Sequence, residues 1–203
     1  MTPRAASAAR PAAIRRSMDI ATVAAFSALT IALGALYIPL PFTPVPVTGQ
    51  TLGVVLAGNV LGPRRATASV LLVLMLVAAG LPVLAGGRGG AGVFLGPTGG
   101  FLVGWITAAF LVGLATRRLG LGRAALALRI GASIVFGVFG VYLTGVPWFA
   151  IATGRDLWEA MAAGMAPFLP GDIFKAVAAA LIAQALLLSQ VPGIGNRREA
   201  VSQ

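Results

Sequence analysis

Apolar residues in this chain fall into long unbroken runs, separated by short basic, glycine-rich or proline-rich segments. The runs cover residues 20–38, 51–61, 66–79, 101–116, 130–143 and 172–188. Continuous runs, unlike the alternation of a barrel strand, predict helices. The longer ones approach the ~20 residues that cross a hydrocarbon core. In lipid a helix satisfies its own backbone polar groups, so it is the natural spanning element. The pattern predicts an all-α membrane protein with six transmembrane helices over residues 18–190. A basic N-terminal tail (1–17) and a C-terminal tail (191–203) flank it, both placed in the cytoplasm. The runs at 51–61 and 66–79 are short for full spans, which predicts tilt or shielding. The first run is longer than the apolar stretch of a cleaved leader, so it predicts a retained first span.

The segments between the runs carry their own signals. Pro39, Pro41, Pro44 and Pro46 cannot sit inside a helix, so residues 38–46 are expected to be extended and stiff at the membrane edge. Residues 80–100 are dense in glycine but also hold Leu81, Val83, Leu84, Val93, Phe94 and Leu95. Long loops without secondary structure are usually functional, and an apolar one is expected to fold back over the bundle. A looser stretch is expected from Pro147 to Pro170. No repeat of fixed period and no second domain is evident.

Composition sharpens the membrane reading. The chain is 58% hydrophobic and 10% charged, with mean hydropathy +0.94, whereas soluble domains carry about 25% charged residues. The net charge of +10 does not point to nucleic acid, because the arginines lie between apolar runs. With six spans, Arg4, Arg10, Arg15, Arg16, Arg64, Arg65, Arg117, Arg118, Arg123, Arg129, Arg197 and Arg198 fall on one side, twelve of the fifteen basic residues. Only Arg88, Arg155 and Lys175 fall on the other. The positive-inside rule then puts both termini in the cytoplasm, and five or seven spans would spoil the bias.

The chain has neither Cys nor His. That removes thiol nucleophiles, Ser-His pairs and imidazole or thiolate metal sites. A Walker A sequence is absent, and the five acids Asp19, Asp156, Glu159, Asp172 and Glu199 form no cluster in sequence. The expectation is a protein without enzymatic activity, cofactor or metal. What stands out is charge on the sparsely charged side. Asp172 and Lys175, at spacing i, i+3, project from one helix face, and Arg88 lies in the glycine-rich loop. Ionisable residues at membrane depth are rare and commonly functional. The plainer alternatives are that Asp172 only favours a helix start, with Lys175 as its ion-pair partner, and that Arg88 is a solvated loop residue. Ala24, Ala28 and Ala32 form a small-xxx-small stripe on the first helix, which suits either internal packing or a partner helix.

The ordered motifs resemble one family. Residues 38–51, Ile-Pro-Leu-Pro-Phe-Thr-Pro-Val-Pro-Val-Thr-Gly-Gln-Thr, are similar to a signature of the BioY family, the biotin-binding membrane subunits of energy-coupling factor (ECF) transporters. Leu61-Gly62-Pro63-Arg64, Gly80-Leu81-Pro82-Val83, Gly86-Gly87, Gly96-Pro97-Thr98-Gly99-Gly100 and Pro170-Gly171-Asp172 with Lys175 continue the likeness, in order, from about Ala24 to Leu188. The resemblance implies a six-helix substrate-specific (S) component that binds biotin near the outer face, under the long loop between helices three and four. It implies partners: a transmembrane scaffold subunit and two ATPase subunits, besides membrane lipid, in the cell inner or plasma membrane. It implies that Ala24, Ala28 and Ala32 contact the scaffold. Val73, Val77 and Leu84 stand where the family pattern leads one to expect an aromatic, a glycine and a phenylalanine. Biotin offers two ureido N–H donors, a ureido carbonyl, an apolar bicycle and a carboxylate. Asp172 can accept from the N–H groups, Lys175 can donate to the carbonyl, and Arg88 can fork onto the carboxylate. Which of Arg88 and Lys175 takes the carboxylate stays open. Gln50, inside the signature, and Trp148, a ring to pack on the bicycle, complete the expected substrate-binding set. Another vitamin, or a structural protein without a ligand, are the competing readings.

Overall fold

The computed structural model describes residues 12–189. The tail residues Arg4, Arg10, Arg197 and Arg198 lie outside them. Seven helices and one two-stranded hairpin make up the described chain. Helix α1 spans Ala12–Ala32 and tightens into a 3₁₀ turn, Leu33–Ala35. Strands β1 (Tyr37–Leu40) and β2 (Thr43–Thr48) follow, then α2 (Gln50–Leu61) and α3 (Pro63–Ala78). After a loop come α4 (Gly99–Thr116), the 31-residue α5 (Arg123–Thr153), the short α6 (Leu157–Gly164) and α7 (Leu169–Leu188).

By length and apolarity four stretches can cross a membrane: Arg16–Ala35, α4, α5 and α7. Helix α2 is apolar but has 12 residues, which at ~1.5 Å per residue is about 18 Å, well under the ~30 Å core. The hairpin leads directly into its N-terminus. Gly62 alone separates α2 from α3, at φ +74°, a left-handed value that glycine adopts without penalty. Pro63 then starts α3 at the position where its missing N–H costs nothing. Val73 and Val77 of α3 are fully buried, so these valines fill the core where a larger or smaller side chain was expected.

Several boundaries differ from the sequence reading. The first helix stops at Ala32, not Ile38, because the proline segment claims Tyr37 to Thr48 for a β-hairpin with pairs Tyr37–Thr48, Ile38–Val47 and Leu40–Thr43. Proline at Pro39, Pro44 and Pro46 lacks one donor, but a two-stranded ribbon is all edge and tolerates that. The register breaks between Ile38 and Leu40, at Pro39. The fifth run extends at both ends. Pro147 lies inside α5, and residues Ser133–Phe139 are π-helical. This extension moves Arg129 from an expected cytoplasmic loop into the helix, where it is 1% exposed. The stretch from Pro147 to Pro170 is correspondingly ordered: the end of α5, then α6, capped by Asp156 accepting from the Glu159 N–H at 2.8 Å.

Helix α4 is the central post, packed on α2, α3 and α5, while α2 also packs on α7 and α1 on α3. Close approach is a matter of glycines: a Cβ at Gly104 would stand 2.7 Å from Thr144 Oγ1, and one at Gly113 would stand 2.6 Å from the Pro63 nitrogen. At one end of the bundle the starts of α2, α4 and α7 meet the hairpin and the loop. At the other end lie Arg64, Arg117, Arg118 and Arg123, all exposed, with Asp19 of α1 bridged to Arg65 of α3 at 2.8 Å.

Candidate ligand-binding site

The loop between α3 and α4 folds inward. The Gly90 N–H donates to Val77 O at 2.7 Å, and Leu84 and Ala85 are buried. Residues 84–88 form a hook: Leu84 N–H donates to Arg88 O and Gly87 N–H to Leu84 O, both at 3.0 Å. Gly86 and Gly87 sit at φ +73° and +70°, which L side chains avoid. The hook turns Arg88 back toward the bundle, and its Nε donates to Ala85 O at 3.2 Å. Partial burial pulls the Arg88 guanidinium below its ordinary value, yet a guanidinium stays charged at neutral pH.

Gln50 fixes this loop from below. It is 1% exposed. Its Nε2 donates to Val83 O at 3.3 Å, and its Oε1 accepts from Ala85 N–H at 3.2 Å. Each end of its amide thus makes one bond to loop backbone, with one N–H and one lone pair left over. Trp148 does similar work from outside: Nε1 donates to Gly96 O at 2.9 Å. It lies against Gly99 and Gly100: a Cβ at Gly100 would stand 2.2 Å from Trp148 Cβ, and one at Gly99 would stand 3.0 Å from Trp148 Nε1.

Under the loop is a cavity of about 620 Å³, its open mouth included. Arg88, Gln50, Asp172 and Lys175 all line it, whereas Trp148 does not. Its apolar walls come from Leu84, Phe101, Leu102, Trp105, Val141 and Phe168. Phe101 and Tyr142 meet edge to face, centroids 6.3 Å apart at 89°. On the α7 side, Lys175 Nζ lies 2.5 Å from Asp172 Oδ1 and donates to Thr48 O at 2.8 Å. The Tyr142 hydroxyl donates to Asp172 Oδ2, and Thr51 Oγ1 stands 3.5 Å from Oδ1. Both charged side chains are 15% exposed, a partly desolvated setting in which each partner needs the other.

The structure thus brings together Arg88, Gln50, Asp172 and Lys175 and leaves Trp148 on the loop's outer side. Tyr142, Thr51, Phe101, Trp105 and Phe168 were missed. Tyr142 is one of only two tyrosines and sits near the end of the apolar run 130–143, which was the available signal.

The pattern of matches to known proteins fits this geometry. The BioY family profile matches residues 5–190. The chain belongs to the BioY family. A BioY protein of Rhizobium etli named biotin transporter BioY is 46% identical over 175 residues, 84% of this chain and 93% of that one. The protein of the same name from Rhodobacter capsulatus is 47% identical over 178 residues, 83% and 92% of the two chains. The crystal structure of the S-component for biotin from an ECF-type ABC transporter matches with TM-score 0.79 at 33% identity, covering 90% of this chain and 96% of that one. As a BioY member with four helices long and apolar enough to cross a bilayer, the chain is a multi-pass membrane protein whose relatives are transporters.

Proposed function

We propose that this chain is the biotin-binding subunit of an uptake system: it captures biotin at the outer face of the cell membrane, and separate scaffold and ATPase subunits supply the energy. One observation carries the reading. Arg88, Asp172 and Lys175, scattered over the sequence, stand on the walls of a single cavity otherwise lined by aromatic and aliphatic side chains. The amphipathic shape of the cavity suits an apolar bicycle with polar ends. Its charge suits an acid: two cations face one carboxylate, and the N-termini of α2, α4 and α7, positive by their dipoles, converge there. Asp172 retains acceptor capacity for ureido N–H groups beyond its bonds to Lys175 and Tyr142. Arg88, with donors free after its single bond to Ala85 O, is the partner for the carboxylate.

The reading includes six crossings, by α1 to α5 and α7, with α6 at the outer interface and both termini in the cytoplasm. Its support is the basic end formed by Arg64, Arg117, Arg118 and Arg123, opposite the cavity. It also includes the scaffold contact. Phe26, Ser27 and Thr30 of α1 are buried against the bundle, with Ser27 Oγ donating to Ser69 O at 2.9 Å. Ala24, Ala28 and Ala32 are exposed, a face of small side chains left open to a partner helix.

Titration of the purified protein in detergent tests the ligand. Saturable binding of biotin, with none of thiamine or riboflavin, is the expected result. Binding of either other vitamin in place of biotin would overturn the reading.

A further inference from the structure

The most isolated charge in the described chain lies away from the cavity. Arg129 of α5 is buried, and among the described residues it has no carboxylate partner. Its Nη1 donates to Asn59 O at 3.1 Å. The chemistry of that carbonyl accounts for the contact. In a continuing helix Asn59 O would accept the N–H of residue 63, but residue 63 is proline and has none. Arg129 supplies the donor that Pro63 lacks. The Asn59 side chain returns across the same interface: Nδ2 donates to Ser133 Oγ at 2.8 Å, and the Ser133 hydroxyl donates to Arg129 O at 2.8 Å. Ser133 is 0% exposed.

This node sits where α5 changes winding. The Ser133 N–H is shared between Arg129 O and Ile130 O, and the π segment begins there. The consequence is one of register. In an α-helix a residue every fourth position drifts by about 40° per step, so three steps would turn it about 120° away from a neighbour. The wider π turn, bonded i to i+5, works against that drift. Arg129, Ser133, Gly137 and Val141 are indeed all buried and meet the antiparallel α2 in sequence. Asn59 takes Arg129 and Ser133. Val55 takes Gly137, where a Cβ would stand 2.7 Å from Val55 Cγ2. Thr51 and Val141 both line the cavity. Tyr142 is the next residue, and it reaches Asp172. Tyr142 itself is buried, edge to face on Phe101, but the seam that leads to it is not filled throughout. A second space of about 250 Å³, mouth included, lies along this seam behind Asp172 and Lys175, bordered by Val55, Gly137 and Val138.

Resting on the biotin reading of the cavity, we propose that the buried Arg129–Ser133–Asn59 node is a positioning device for the ligand site: it sets the π register of α5 and so aims Tyr142 at Asp172. The carboxylate is then held with one oxygen on Tyr142 and the other on Lys175, and its remaining lone pairs face the ligand. Loosening the node frees the Asp172 carboxylate to rotate, two helical turns from the atoms removed.

A double-mutant cycle tests this, because independent sites add and coupled sites do not. Biotin affinity is measured for the wild type, Ser133→Ala, Tyr142→Phe and the double variant, in detergent. Ser133→Ala removes both bonds of the Ser133 hydroxyl but reaches the ligand only through Tyr142. It is therefore expected to weaken binding about 3- to 10-fold in the wild type, the size of one neutral hydrogen bond, and less than ~2-fold in Tyr142→Phe. Equal weakening in both backgrounds overturns the proposal. So does a fall in unfolding temperature with affinity unchanged, the mark of a purely structural node. If Ser133→Ala does not fold, Asn59→Ala enters the same cycle. A ligand-free readout separates this proposal from the functional one. With fluorotyrosine incorporated, the two tyrosines give two resonances, assigned by Tyr142→Phe. Ser133→Ala is expected to shift the Tyr142 signal and leave that of Tyr37; an unmoved Tyr142 signal overturns the register claim. If Ser133→Ala shifts the Tyr142 signal in this way while the wild type binds no biotin, the functional reading alone is overturned.

Discussion

Asp172 and Lys175 are adjacent on α7 because i, i+3 spacing puts them on one face, but what they can do depends on what surrounds them. Asp172→Asn keeps the shape and adds an NH2 group toward the ureido donors. A hydrogen bond to a charged partner is worth roughly 1.5–3 kcal/mol, so biotin affinity is expected to fall on the order of 10- to 100-fold. Lys175→Ala is expected to cost at least as much. It removes the ion-pair partner of Asp172 and leaves Thr48 O, which accepts from Nζ at 2.8 Å, without its donor. Isothermal titration of both variants checks this, and changes under about twofold in both would make the pair structural only. Arg88→Ala separates roles by ligand: it should weaken biotin more than a biotin amide, since only the acid offers a charge to the fork of donors. Equal losses for the two ligands would assign Arg88 to shaping the loop hook.

At the scale of elements, glycines set the distances between helices. Gly100 lets α4 touch α5: a Cβ there would collide with Trp148 and stand 2.7 Å from Thr144 O. Because backbone cannot yield as a side chain does, Gly100→Ala is expected to destabilise by ~1–3 kcal/mol, the usual cost of overpacking. It should also loosen the loop that Trp148 holds through Gly96. Thermal unfolding in detergent, with and without biotin, reads both effects; an unchanged midpoint would mean that α4 and α5 separate freely. The outer face of α1 behaves differently. Ala28 is exposed, so Ala28→Leu should leave biotin affinity unchanged while weakening co-purification with the scaffold subunit, as backbone approach is lost. Reduced affinity with co-purification intact would show that this face serves the fold.

The whole molecule is polarised. Arg64, Arg117, Arg118 and Arg123 gather at one end, and a cavity with Arg88 and Lys175 opens toward the other. A periplasm-active reporter fused after Val201 should therefore be silent, and one inserted at Gly89 active. The opposite pattern would reverse the orientation. The proposed count of six crossings turns on α2, whose 12 residues are short for a span by themselves. Cysteine labelling on either side of the α2–α3 turn, in this cysteine-free chain, reports whether that turn reaches the cytoplasmic face.

The one-dimensional pattern was enough for the four helices long and apolar enough to cross a membrane and for the shared face of Asp172 and Lys175 on α7, because helix period and hydropathy are local properties. The ordered glycine and proline motifs were likewise enough to point to the family. Tertiary contacts decided the rest. The proline segment pairs as a hairpin because Tyr37 and Thr48 meet across a turn, which no run of prolines reveals by itself. Arg129 reads as one more loop arginine until Pro63 leaves Asn59 O without its N–H donor and the fold brings the guanidinium there. Trp148 reads as a ring for the ligand, yet Gly99 and Gly100 draw it to the outside of the loop. Tyr142 reads as one apolar position among many until α5 winds so as to face Asp172, thirty residues away along the chain. A residue's neighbours in sequence fix its helix, but its partner for hydrogen bonding is chosen by which helices approach and at what rotation, and that information is not local.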